Sequence, residues 1–290
     1  MAGAIALLLA LAATPASAQD RALAEDSLNH AAVVAEGPAP LSANTIGRSL
    51  ANPLARLTTI STELRLAAGM GDGRHGLVNE TVLVKPFELP DSWAIITRAA
   101  LPVALVENSR SYVGLTDATL AAYLVTPPRG PWYAGVGPTM SLPTANRPGL
   151  GSRNWELGPA AAFGYQSESI TSGILVSQRW TLGGASAGPR TTLSVLQGLF
   201  SFSVTEDWSA GISTETHYDW EGHGRQRWTV PITLSLGRVF TLGNDRAVQV
   251  GGLATHYIMP GGPQRAVWEF GLNLAFVVPN GFLYRLSGMR

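Results

Sequence analysis

The sequence predicts an all-β protein, an antiparallel transmembrane β-barrel of about twelve strands preceded by a short N-terminal periplasmic or plug segment. Three observations predict it. From Leu57 onward the chain runs in segments of roughly 10 to 13 residues with period-two character, bounded by Gly, Pro, Asn and Asp. The connections between these segments alternate between short and long. All eight tryptophans fall at or near segment ends.

Taken in order, the first element is an apolar run from Ile5 to Ala13, followed by Thr14-Pro15 and the small-x-small pattern Ala16-Ser17-Ala18. This pattern predicts a secretory signal peptide over residues 1–18, although no Lys or Arg precedes Arg21. Residues 19–54 form a separate, Ala-rich stretch with Asp20, Glu25 and Asp26 near its start and a break at Gly37-Pro38-Ala39-Pro40. A short helix and linker fit this composition, either exposed in the periplasm or with Leu41–Ala51 folded into a lumen. No later apolar run reaches the ~18 residues that a transmembrane helix needs. An exported chain of this kind is therefore soluble in the envelope or crosses a membrane with strands.

The barrel is expected over residues 55–279, with a tail at 280–290. Its predicted strands are 57–69, 77–88, 93–105, 114–125, 132–144, 153–165, 171–182, 191–204, 208–220, 228–241, 246–258 and 266–278. An even number lets both termini lie on one side of the membrane. Leu89–Ser92, Pro127–Gly130, Gln166–Ser169, Thr205–Asp207 and Gly243–Asp245 are tight turns. Met70–Gly76, Val106–Val113, Ala145–Ser152, Gly183–Arg190, Glu221–Arg227 and Met259–Arg265 are longer loops. Short periplasmic turns and longer external loops are the outer-membrane pattern.

Alternation within strands separates two faces. In 228–237, Trp228, Val230, Ile232, Leu234 and Leu236 oppose Thr229, Pro231, Thr233, Ser235 and Gly237. A soluble sandwich alternates as well, with its apolar face inward. The tryptophans decide between the two. Trp93, Trp132 and Trp208 follow short turns, whereas Trp155, Trp180, Trp220, Trp228 and Trp268 lie beside long loops. Two indole girdles around an apolar band suit a lipid-facing wall.

Composition excludes several functions. With no cysteine, disulfides, thiolate metal sites and cysteine nucleophiles are ruled out, and 20 basic residues balance 20 acidic ones, which gives nucleic acid no electrostatic footing. No residue pattern calls for a cofactor. If apolar faces meet lipid, the lumen receives Glu63, Arg65, Lys85, Arg98, Asp117, Glu156, Arg179, Glu215, His217, Asp219 and Glu269. These residues either pair across a wetted wall or set a transverse field that filters solutes. Lys85, the single lysine, and Arg98 are the first candidates for a filter.

The segments Asn52-Pro53-Leu54-Ala55, Trp93–Arg98 with Leu101-Pro102-Val103, Gly135-Val136-Gly137-Pro138, Leu142–Ala145, Leu157–Ala160, Gly173–Val176 and Trp228–Pro231 follow in an order that resembles the outer-membrane barrels of the phenol-degradation meta-pathway type. The resemblance implies a transporter for small apolar or aromatic compounds, with outer-membrane lipid around it. Glu269–Phe276 resembles the terminal signal read by the barrel-assembly machinery, except that Val277–Arg290 follow it. A twelve-strand barrel can also be a phospholipase built as a serine hydrolase on its wall, or a purely structural barrel. His-Glu-x-x-His is absent, and the register turns His217 into the lumen, away from lipid. Catalysis is therefore not expected.

Overall fold

The computed structural model describes residues 42–68, 76–106, 112–147, 150–184, 190, 192–242, 246–261 and 267–278. The expected signal peptide, the 280–290 tail, most of the 19–54 segment and much of the longer loops lie outside the described residues.

Thirteen strands form one antiparallel sheet: β1 (Thr58–Ala68), β2 (Gly76–Glu88), β3 (Ala94–Val106), β4 (Tyr112–Leu115), β5 (Ala118–Val125), β6 (Trp132–Leu142), β7 (Asn154–Gln166), β8 (Ile170–Gly184), β9 (Thr192–Ser203), β10 (Trp208–Asp219), β11 (Trp228–Thr241), β12 (Ala247–Pro260) and β13 (Trp268–Val278). Because β4 and β5 both pair with β3, they are two pieces of one stave, and the barrel has twelve. The expected strand 114–125 is thus broken at Thr116-Asp117. There Thr116 donates its backbone N–H to Pro102, and the Asp117 carboxylate engages the β6–β7 loop. Closure comes from β13, which pairs with β1 from Thr58↔Val278 to Ala68↔Trp268. Every stave then has two hydrogen-bonded neighbours, the condition hydrocarbon imposes on a spanning sheet. Among the described residues no helix is long and apolar enough to cross a membrane; the crossing is made by strands.

Directly paired residues share a face, so the register carries one face around the ring. Ala275 pairs with Ser61, Ser61 with Val82, and Val82 with Ala100, and these point inward. The outward set includes Leu64, Leu66, Val136, Phe163, Ile174, Leu234, Phe270 and Leu272, all exposed. So much exposed apolar surface is incompatible with water and requires lipid. All eight tryptophans are exposed too, from Trp93 at 37% to Trp220 at 56%. A soluble core would have buried them. At the short-turn rim Trp132 packs on Phe163 and Tyr165, with ring centroids 5.3 and 5.1 Å away. At the opposite rim Tyr218 lies 4.9 Å from Trp220 and 4.6 Å from Trp228. The short-turn rim also holds Asp207, whose carboxyl is kept below the usual aspartate range by the Thr205 hydroxyl and then by Arg238, at 2.8 and 2.6 Å.

The lumen is not polar throughout, as the strand alternation predicts. Its short-turn half is filled. Helix α1 (Ala43–Ala51) begins at Ser42, whose hydroxyl caps the Thr45 N–H at 3.2 Å. Ile46 then enters a socket of the inward-facing Val239, Ala247 and Val277. Polar bonds tie the same helix to the short turns. Arg48 donates to the Ser167 carbonyl, and Thr171 donates to the Arg48 carbonyl at 3.2 Å. Ser203 donates to Asn44 at 3.3 Å, and Asn52 to Gln166 at 2.8 Å. Beyond the helix, Leu54 is only 2% exposed and packs with Ile96, Tyr123, Val125, Ala162 and Leu175. Gly135 makes room for it, since a Cβ there would lie 2.9 Å from Leu54 Cδ1.

Candidate solute path

Above the helix the inward faces become charged. Gly47, Leu50 and Ala51 form the floor of a cavity of about 490 Å³ whose walls include Glu63, Arg65, Glu80, Arg98, Glu215 and His217. A second cavity, of about 130 Å³, runs below it past the end of α1, between Leu50, Pro53, Ala55 and Leu57 on one side and Thr59, Ser61, Val82 and Val84 on the other. Leu50, Arg98, Gln249 and Asn273 line both, so the two cavities adjoin across these four side chains.

The structure places the expected lumen residues in three groups. Glu63 and Arg65, two residues apart on one face of β1, form an ion pair. Glu215 accepts from Gln197 at 2.9 Å and pairs with His217 at 2.9 Å. With Arg98 these residues surround the upper cavity. Glu156 and Arg179 lie elsewhere on the wall. Their side chains approach to 3.5 Å, and Glu156, 5% exposed, also accepts from Ser152 at 2.9 Å. A buried pair of this kind braces β7 against β8. Asp117 and Asp219 organise loops: Asp117 accepts from the backbone of Ala145 and Arg153 at 3.0 and 2.9 Å and from Ser152 at 3.2 Å. Asp219 accepts from the Glu221 N–H at 3.0 Å. Glu269 is inward by its pairing with Thr255 and Ala67.

Lys85 is corrected. It is paired with Thr97, one residue off the inward pair Val84↔Arg98, so its side chain lies on the outer face, where Nζ sits 5.2 Å from the Phe87 ring centroid. Near the short-turn rim its aliphatic stem can lie along the wall while the ammonium reaches the headgroups. Glu80, absent from the expected lumen set, faces inward instead. It is paired with Glu63 on one side and Pro102 on the other. The residue-type signal was weak, because β2 carries Val78, Glu80, Val82 and Val84 inward and Leu77, Asn79, Thr81 and Leu83 outward. Both faces mix polar and apolar side chains.

An edgeless sheet, an apolar exterior girdled by indoles and an interior that holds charge define the class: this is an outer-membrane β-barrel. Its fold is shared with the crystal structure of an outer membrane channel from Pseudomonas putida F1, at a TM-score of 0.61 and 15% sequence identity, covering 79% of this chain and 98% of that one. The NanC porin aligns at a TM-score of 0.50 and 11% identity, covering 77% of this chain and 99% of its own. No family model matches the chain, and no curated protein matches it in sequence.

Proposed function

We propose that the chain is a channel that lets small molecules, apolar or aromatic ones among them, cross the outer membrane passively through its lumen. The observation that carries this reading is the pair of adjoining cavities, one in the charged upper lumen and one beside the end of α1. Support also comes from the two barrels that share the fold, which are a channel and a porin. In this reading α1 is a plug that narrows the periplasmic half, and solutes slip between it and the wall formed by β1, β2, β3, β12 and β13. The segment Trp268–Val278 is the strand offered to the assembly machinery, and membrane lipid is the permanent partner of the outer wall.

Against a hydrolase stands the setting of the histidines. Among the described residues His217 bonds a carboxylate, and His256 packs at a tilt against Trp268, ring centroids 4.4 Å apart, with its Nδ1 buried and unbonded. Neither these two nor His223, the third described histidine, is hydrogen-bonded to a serine hydroxyl.

A second route, sideways through the wall, is favoured by one observation. The β5–β6 ladder stops at Ala121↔Thr139 and resumes at Leu124↔Val136, where Pro138 supplies no N–H. The β7–β8 ladder stops at Leu157↔Trp180 and resumes at Ala160↔Ser177, around Pro159. Pro138 and Pro159 are directly paired, and apolar grooves lie over both interruptions on the outer face.

Planar-bilayer conductance of the refolded chain, compared with a variant lacking residues 42–51, tests the axial reading. We expect small discrete steps from the intact chain and larger ones from the variant. Equal conductance in both would remove α1 from the path, and silence from both, with apolar solutes still taken up by proteoliposomes, would favour the wall route.

A further inference from the structure

Of the two guanidinium groups that line the upper cavity, Arg65 and Arg98, Arg98 lies nearer the short-turn rim. Its partner across the strand pair is Val84, whose own partner on β1 is Thr59, close to the end of that strand. Its inward neighbours on β3 are Ile96, which is fully buried, and Ala100. Two carboxylates of the upper cavity are already engaged, Glu63 by Arg65 and Glu215 by a hydrogen bond with His217. Among the described residues Arg98 makes no hydrogen bond or ion pair, and neither does the side-chain amide of Asn273. Both lie at the neck where the two cavities meet, beside Gln249, whose amide donates weakly to Ser209 at 3.4 Å.

The half-buried Arg98 guanidinium turns its donors to the cavities and meets no acceptor of the chain, so its five N–H groups stay open to a solute. Long-range attraction by Glu80 and the other carboxylates offsets part of the charge but supplies no acceptor geometry. The planar fork matches one chemical group best, a carboxylate, which it can hold through two parallel charge-assisted hydrogen bonds. Asn273 and Gln249 add neutral donors on the facing side of the neck. Immediately below, the cavity of about 130 Å³ offers Leu50, Leu57, Val82 and Val84, apolar walls for a short hydrocarbon chain or a single ring.

We infer that Arg98, with Asn273 and Gln249, forms a carboxylate-binding site at the neck of the lumen, and that the solutes selected there are small amphipathic monocarboxylates. This deepens the channel reading and rests on it only for the claim that the bound acid then passes. The acidic walls above the neck keep binding shallow, which favours release: a conducting site holds its solute strongly enough to admit it and weakly enough to let it go.

Binding and flux separate the two claims. Equilibrium dialysis of the full, detergent-refolded chain against benzoate and hexanoate, with benzyl alcohol and hexanol as uncharged counterparts, reads the site directly. The acids are expected to bind more tightly than the alcohols. Arg98→Gln is expected to weaken acid binding about 10- to 100-fold, the loss of one bidentate charge-assisted contact, while leaving the alcohols nearly unchanged. Arg98→Lys should retain part of the binding because it keeps the charge without the fork. Heat-modifiable gel migration establishes that each variant is folded. Acid binding that survives Arg98→Gln, or acids that bind no better than alcohols, would overturn the inference even if the barrel conducts. Arg98-dependent binding without benzoate uptake into proteoliposomes would uphold the site and sink the channel reading instead.

Discussion

Gly137 and Gly158 each precede a proline that removes a ladder N–H, and each lets its strand press against a neighbour. A Cβ on Gly137 would sit 1.8 Å from the Ala122 carbonyl oxygen, and one on Gly158 would sit 1.7 Å from that of Gln178. The glycine Cα–H groups thus face carbonyls that have lost their N–H donors, a weak contact only glycine permits. Gly137→Ala forces the strands apart, at a cost of about 1–3 kcal/mol or more as for other overpacked sites. By contrast, Gly252→Ala meets nothing nearer than the Gly271 oxygen at 4.0 Å and is expected to change stability by less than about 0.5 kcal/mol. Urea titration monitored by heat-modifiable migration checks both; equal midpoints for the two variants would refute the close-approach account. Individual lumen charges were legible in the sequence wherever a strand has one clearly apolar face. In β10, Trp208, Ile212 and Trp220 mark the outside and so fix Glu215, His217 and Asp219 inside. On β2 neither face is clean, and alternation alone put Lys85 inside and overlooked Glu80.

At the scale of elements, the strands were legible because turns and period-two patterns are local properties, and eleven of the staves follow the expected limits to within a few residues. The broken stave was not. Nothing in Leu115-Thr116-Asp117-Ala118 announces an interruption, which arises because Asp117 bonds groups some thirty residues away, at Ala145, Ser152 and Arg153. The same carboxylate draws the β6–β7 loop over the inner face of β4: a Cβ on Gly114, which is inward by its pairing with Ala104, would lie 2.4 Å from Leu150 Cδ1 and 2.5 Å from Asn146 Oδ1. Asp117 is therefore a positioning residue for the outer mouth. Asp117→Asn keeps the shape but replaces three acceptor contacts to a charged group with weaker ones, each worth about 1.5–3 kcal/mol at the upper end. Single-channel recordings of this variant are expected to show more frequent fluctuations between conductance levels than the parent. A trace as quiet as that of the parent would assign the loop no part in the mouth. The seat of α1 was equally hidden. Its composition fits an exposed helix or a plugging one, and the choice depends on a socket assembled from β11, β12 and β13, more than 180 residues further along the chain.

For the molecule as a whole, the governing fact is an inversion set by the solvent. Lipid takes the apolar faces, so the interior must accommodate what remains: charge in the outer half, and in the inner half small apolar residues that need a filler. The helix and Leu54 supply that filler, leaving adjoining cavities of about 490 and 130 Å³ along one side. The period-two pattern and the tryptophan girdles made the inversion legible, whereas the filled inner half depends on long-range packing and did not show. The central claim is a water-filled upper lumen narrowed from below by α1, and the absence of native cysteine allows it to be tested cleanly. Single cysteines at Ser213 (inward) and Ile212 (outward) would be exposed to a membrane-impermeant thiol reagent in proteoliposomes of known orientation. We predict that the Ser213 site reacts readily from the outer side, that it reacts far more slowly from the short-turn side until residues 42–51 are deleted, and that the Ile212 site stays unreactive throughout. Equal reaction at both sites, or equal access to the Ser213 site from the two sides of the intact barrel, would contradict the account.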